Sequence, residues 1–190
     1  MDRVSPWHDL LLSEVSWPEL AAKAGTEGAD WAPVLAQLVP SLVALGTIGT
    51  GAPAEKPVLS HNSLGPAKVR RGRQGLVVFG WEHAGGQPPS WELGDALVHW
   101  TVDPGRGVNV AGARTLVEGY HATAGSLPAL GMDMFRGAVT SLANHTAGQI
   151  ELALTAHDDE ERRYANRSVR HLLTHLPTRA TLEQLLDAVS

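Results

Sequence analysis

One four-residue run, Leu76-Val77-Val78-Phe79, is the clearest β-strand in the chain, and everything after Pro89 carries apolar residues at helical spacing. A chain patterned in this way folds as a mainly helical bundle with one small β element in its first half. Helices are expected over 91–101, 109–123, 132–156, 158–176 and 180–189. Ser90 is the expected cap of the first, and Asp158 and Asp159 open the fourth, where carboxylates complement the helix dipole. Upstream, 7–24 reads as a helix that Pro18 splits in two, because proline removes a donor and clashes with the preceding turn. A further helix is expected over 30–46, capped by Asp30 and kinked at Pro40. Ala67-Lys68-Val69, a basic turn from Arg70 to Gln74 around Gly72, and the buried-strand run 76–79 together predict a hairpin. The whole of 1–190 reads as one domain: a helical start over 1–50, a hairpin-bearing segment over 51–90 and a helical bundle over 91–190.

Composition narrows the class. A chain of 190 residues, 43% hydrophobic and 18% charged, can bury a core and is not disordered. Fifteen Lys and Arg against twenty Asp and Glu leave a net charge of -5, which argues against a general binder of nucleic acid or anionic membrane. No apolar run is long enough to span a bilayer, and MDRVSPWHDLLL lacks the pattern of a signal peptide, so a cytoplasmic protein is expected and the sequons at Asn144 and Asn166 carry no weight. Without cysteine there is no disulfide, thiolate metal site or cysteine nucleophile. Six Trp outnumber two Tyr and two Phe; most are expected to pack with the indole N–H satisfied locally, leaving one or two for stacking on a ligand.

The informative stretch is His61-Asn62-Ser63-Leu64-Gly65-Pro66-Ala67-Lys68-Val69, followed by Val78-Phe79-Gly80-Trp81-Glu82. It resembles the catalytic core of aminoglycoside phosphotransferases and their choline-kinase-like relatives, which read His-Gly-Asp-Leu-His-Pro-Gly-Asn-Val, a hairpin, then Val-Ile-Asp-Trp-Glu. His61, Leu64, Pro66, Val69, Trp81 and Glu82 fall on matching positions. Pro88-Pro89-Ser90-Trp91-Glu92-Leu93 resembles the family's Asp-Pro-x-x-Asp-Leu, and Val117-Glu118-Gly119-Tyr120 its later Tyr-bearing helix. The resemblance spans about 8–175 and implies the C-terminal lobe of the protein-kinase-like fold. The nucleotide-covering lobe is expected to be absent, since the residues before His61 read helical and show no glycine-rich loop between strands.

The departures fall on the chemistry. The family's catalytic Asp is Ser63, which has no useful basicity near neutral pH; its magnesium-binding Asn is Lys68, a cation; its second metal-binding Asp is Gly80. The resemblance therefore implies a fold that no longer transfers phosphate, needing neither ATP nor metal. No cofactor is expected. The groups left for other chemistry are His83, His61, Lys68 and Glu82, with Trp81, Arg70 and Tyr120 as substrate contacts. Each has a plainer reading: His61 braces its loop as in kinase-like folds, His83 is a surface histidine, Lys68 is a solvated lysine on a hairpin edge, and the Arg70–Arg73 turn is a solvated tip. His171 and His175, and Asp95 and His99, share the four-residue spacing of a metal pair, but neither has an evident third ligand.

Two functions follow from the resemblance. Kinase-like phosphotransferase folds occur in bacterial peptide natural-product maturation. A lobe without its phosphoryl site could hold a modified peptide there and close a thioether or aminovinyl-cysteine ring, by adding a thiol to a dehydroamino acid. Alternatively it is a non-catalytic, pseudokinase-like scaffold for another biosynthetic enzyme. In either case a second copy or a different partner is expected over the face the missing lobe would cover.

Overall fold

The computed structural model describes residues 16–48 and 55–190. Helices make up most of it: α1 (Trp17–Thr26), α2 (Ala32–Leu45), α3 (Pro89–Thr101), α4 (Val110–Ala124), α5 (Arg136–Thr155), α6 (Asp159–His175) and α7 (Arg179–Val189). Four short strands lie between α2 and α3: β1 (Val58–Ser60), β2 (Val69–Gly72), β3 (Gly75–Val78) and β4 (Gly85–Gln87). The mainly helical class with a small β element is thus as expected. No described helix is long and apolar enough to cross a membrane.

The helix ends show where local signals act. Pro18 sits in the first turn of α1, where backbone N–H groups have no intrahelical acceptor to lose. The first part of the helix expected over 7–24 lies outside the described residues. Asp30 does not cap α2, which starts at Ala32; its carboxylate instead takes Arg170 of α6, with Nη2 at 3.0 and 2.7 Å from the two oxygens. Ser90 does not cap α3 either. It lies inside the first turn, and its N–H donates to Glu55 Oε2 at 2.8 Å, so a carboxylate from a preceding segment stands at the positive end of the helix. Asp158 stands at the start of α6 as expected and also caps it, its Oδ1 accepting from the N–H groups of Glu160 and Glu161 at 2.9 and 2.8 Å.

Two apolar clusters meet along α5. One gathers Trp17, Trp31, Leu35, Ile150, Val169 and Leu173 from α1, α2, α5 and α6. The other gathers Leu93, Leu97, Val117, Phe135, Leu182 and Leu185 around α3, α4 and α7. Leu142 packs on both. Gly94 lets α3 lie directly on the 3-10 turn Met132–Phe135: a Cβ there would stand 2.2 Å from the Met134 carbonyl oxygen.

β2 and β3 form the expected antiparallel hairpin, pairing Val69 with Val78 and Gly72 with Gly75. Two details differ from expectation. Arg70 and Arg71 belong to β2, leaving Arg73-Gln74 as the turn. The apolar run is not buried either: Leu76 is 75% and Val77 53% exposed, because a two-stranded ribbon has no second layer on this face. A second pair, β1 with β4, joins Val58 to Gln87 and Ser60 to Gly85. Gly85-Gly86-Gln87 has no strand propensity, and its extension is imposed by the pairing.

Candidate functional site

The β1–β4 pair and the hairpin frame the loop from His61 to Lys68, and side chains rather than regular structure hold that loop. His61 is 3% exposed, with Nε2 3.0 Å from the Phe79 carbonyl oxygen and Nδ1 3.3 Å from Ser63 Oγ. A carbonyl can only accept, so Nε2 carries the proton and Nδ1 accepts from the Ser63 hydroxyl. The ring also meets Trp81 edge-on, with centroids 4.8 Å apart. Both nitrogens are committed to the loop, and His61 is its brace.

Asn62 has φ +62°, the left-handed region that asparagine tolerates better than most residues. Its Nδ2 donates to the His83 carbonyl at 2.9 Å, tying the loop to the 3-10 turn Trp81–His83. Beneath it lies Glu92 of α3, whose pKa is raised by burial and by the charge of Asp95, against the opposing pull of the His61 and Asn62 backbone N–H groups. In the amide orientation that satisfies its neighbours, fully buried Gln87 donates to Asn62 Oδ1 and Glu92 and accepts from the Glu92 N–H at 3.2 Å. Trp100 closes the loop's far side, its indole N–H on the Leu64 carbonyl at 2.8 Å.

Gly80 occupies the left-handed region at φ +81°, and a Cβ there would lie 2.7 Å from Lys68 Nζ and 2.8 Å from its Cδ. The lysine thus fills the space that a side chain at Gly80 would take. Its ammonium pairs with Glu82 Oε1 at 2.8 Å. The Lys68 hydrogen bond holds the Glu82 carboxyl below the usual range, and the charges of Lys68 and His83 act in the same direction. The Lys68 charge is matched rather than offered to the cleft.

Two hollows with lining residues in common lie between the loop and α5. The larger, about 440 Å³, is lined by Ser63 and His83 on one side and by Ser141, Asn144, His145 and Gln149 of α5 on the other. Asn144 Nδ2 and Gln149 Oε1 are buried without a hydrogen-bond partner. The second, about 340 Å³, shares Asn62, Ser63, Ser141 and His145 and adds Lys68, Asp95 and His99. Asp95 is buried and lies 3.5 Å from His99 Nε2. Burial alone would lower the His99 pKa, but the Asp95 hydrogen bond and charge outweigh it and raise the value. Loss of hydration at the cleft wall lowers that of His145.

Trp81 and Tyr120 meet elsewhere, in a groove of about 290 Å³ on the far face of His61 that also takes in Val58, Leu59 and Glu92. Burial, followed by the charges of Glu55 and Glu92, raises the Tyr120 pKa. Arg70 stacks its guanidinium over the Phe79 ring at 4.6 Å and stays with the hairpin. His175 Nδ1 is turned onto the His171 carbonyl of its own helix at 2.6 Å. Among the described residues no group of three or more His, Asp or Glu side chains is placed to hold a metal ion.

His145, Asn144 and Gln149 were not legible as site residues. Only the packing of α5 against the loop brings them there, and the Asp95–His99 spacing had suggested nothing beyond a poor metal pair. No family model matches the chain, and no curated protein shows significant sequence similarity to it.

Proposed function

We propose that this chain is a phosphotransferase-type C-terminal lobe whose phosphoryl-transfer site has been lost, and that it holds a modified peptide and promotes ring closure by thiol addition to a dehydroamino acid. The observation that carries the reading is the Gly80–Lys68–Glu82 arrangement. The two positions that the resemblance assigns to magnesium ligands hold a glycine and an ammonium, packed against each other and closed by an ion pair. The left-handed Asn62 supports the resemblance, since it stands where the family has glycine, the residue freest to adopt that conformation. So does the chain order of braced loop, hairpin and Trp-Glu turn.

The cleft suits a peptide. Asn144 and Gln149 line it with side-chain amides, groups that can both donate to and accept from a peptide backbone. His83 and His145 line the same hollow as imidazoles for proton transfer. Holding thiol and acceptor together supplies the positional part of the rate enhancement.

The test uses a synthetic peptide with one dehydroalanine and one downstream cysteine. Ring closure leaves the mass unchanged but consumes the thiol, so iodoacetamide no longer adds to the product. Closure by the protein many-fold faster than in buffer, with one stereoisomer formed, is the expected result; the buffer rate and a mixed product would refute the reading. In parallel, magnesium and ATP should leave the melting temperature unchanged, and a clear rise would return the protein to phosphoryl transfer.

A scaffolding role has its own support. Val58, Leu59 and Trp81, 47%, 66% and 53% exposed, surround the groove on the face where a second lobe or partner would sit. Co-purification of a biosynthetic enzyme that Leu59→Lys releases, with no ring closure, would favour it.

A further inference from the structure

The smaller hollow contains an arrangement that neither the resemblance nor the sequence motifs bring out. Two imidazoles enter it from different helices, His99 from α3 and His145 from α5. They are held differently. His99 has a buried carboxylate partner, Asp95, one helical turn before it. His145 has no carboxylate among the residues lining either hollow other than Asp95, which is engaged by His99. Ser63 and Ser141 line the space they share.

We propose that His145 and the Asp95–His99 dyad are an acid–base pair, with His145 taking the thiol proton and His99 returning a proton to the substrate. This rests on the ring-closure reading and names its proton-transfer groups. The step balances without a co-reactant. Neutral His145 removes the S–H proton, and sulfur forms a bond to the β-carbon of the dehydroamino acid. The alkene electron pair moves to the α-carbon and its carbonyl as an enolate, and His99 protonates the α-carbon. His145 leaves the cycle protonated and His99 neutral, and solvent restores both. Asp95 touches no substrate; it is a positioning residue that orients His99 and favours its protonated form. The opposite pKa shifts of the two imidazoles agree with these roles: enzymes separate acid from base by environment.

The charged and titratable groups bearing on the pair come from every neighbouring element. Lys68 enters from the loop with its charge matched by Glu82; Asp95 stands on α3, with Glu92 close enough for the two charges to interact; His83 borders the adjoining hollow. Activity should therefore follow a bell-shaped pH profile, rising as His145 loses its proton and falling as His99 does.

The experiment combines a histidine NMR titration of the full chain with the dehydroalanine–cysteine peptide. His99 should titrate above His145, and Asp95→Asn should lower the His99 midpoint and move the alkaline limb of the rate profile to lower pH. His145→Gln and His99→Gln should each lower kcat by about 100-fold with little change in KM. If Asp95→Asn does not fold, the native titration still decides. Coincident or reversed midpoints would overturn the pair, and so would native kcat in either histidine variant. Well-separated midpoints with no ring closure by the native protein would instead overturn the proposed function, and this role with it.

Discussion

Replacing Gly80 by alanine tests the packing of the Lys68 side chain in the space beside it. Two penalties follow from the geometry. Alanine must adopt φ near +81°, which costs a non-glycine residue about 1–2 kcal/mol. Its Cβ would also stand 2.7 Å from Lys68 Nζ and 2.8 Å from Cδ, so the lysine must leave and abandon Glu82. The flexible side chain can swing to solvent, so the second penalty is smaller than a backbone clash and adds about 0.5–1 kcal/mol. The sum is roughly 2 kcal/mol, or about 4–8 °C of melting temperature for a chain of this size. A double-mutant cycle separates the parts. In a Lys68→Ala background the collision disappears and only the conformational penalty remains, so Gly80→Ala should destabilise by about 0.5–1 kcal/mol less there. Thermal and urea unfolding of the four proteins measure this. Additivity within about 0.3 kcal/mol would mean that Lys68 does not occupy the space beside Gly80.

Three further outcomes are expected. His61→Ala leaves the Phe79 carbonyl unpaired and opens a buried hole, and should lower stability by about 2–4 kcal/mol in denaturant unfolding, whereas Ser63→Ala should change it by less than about 1 kcal/mol. Glu92 has a raised pKa in the folded chain, so the folded state binds more protons than the unfolded one between the ordinary carboxyl value and the raised value, and stability falls as pH rises through that window; in Glu92→Gln this part of the fall should vanish from a series of urea midpoints. Gly94→Ala drives a Cβ into the Met134 carbonyl at 2.2 Å, where neither backbone can swing away, and should cost roughly 3 kcal/mol, read as a fall in melting temperature of about 6–12 °C.

What the sequence made legible follows the range of the forces involved. Helical periodicity and the Asp158 cap act within one or two turns, and the helices from α3 to α7 fall within a few residues of expectation. The hairpin is equally local. The errors lie where a distant partner decides. Asp30 has the chemistry of a cap, but Arg170 claims it. Ser90 has the chemistry of a cap, but α3 starts before it and its N–H goes to Glu55. β4 exists only because β1 pairs with it. In the site, Lys68, Gly80, Glu82 and His61 could be singled out in sequence because a motif frames them, but their mutual contacts could not. Glu82 looked like a partner for histidine and is held by Lys68. The α5 wall had no signal, since Asn144, His145 and Gln149 read as the polar face of an ordinary helix until the loop is laid against them.

That helix carries two texts at once. Its inward side is built largely of small residues, Ala138, Ala143, Ala147 and Ala153 among them, which seat it between the two clusters. Its cleft side shows Ser141, Asn144, His145, Gly148 and Gln149, spaced three, one, three and one apart along a single stripe. None of the five is part of the apolar core. With His145 kept, a combinatorial library at the other four positions would therefore change the lining of the cleft without touching the apolar core. One short stretch, 141–149, thus sets the lining of a cleft wall separately from the packing that holds the helix in place.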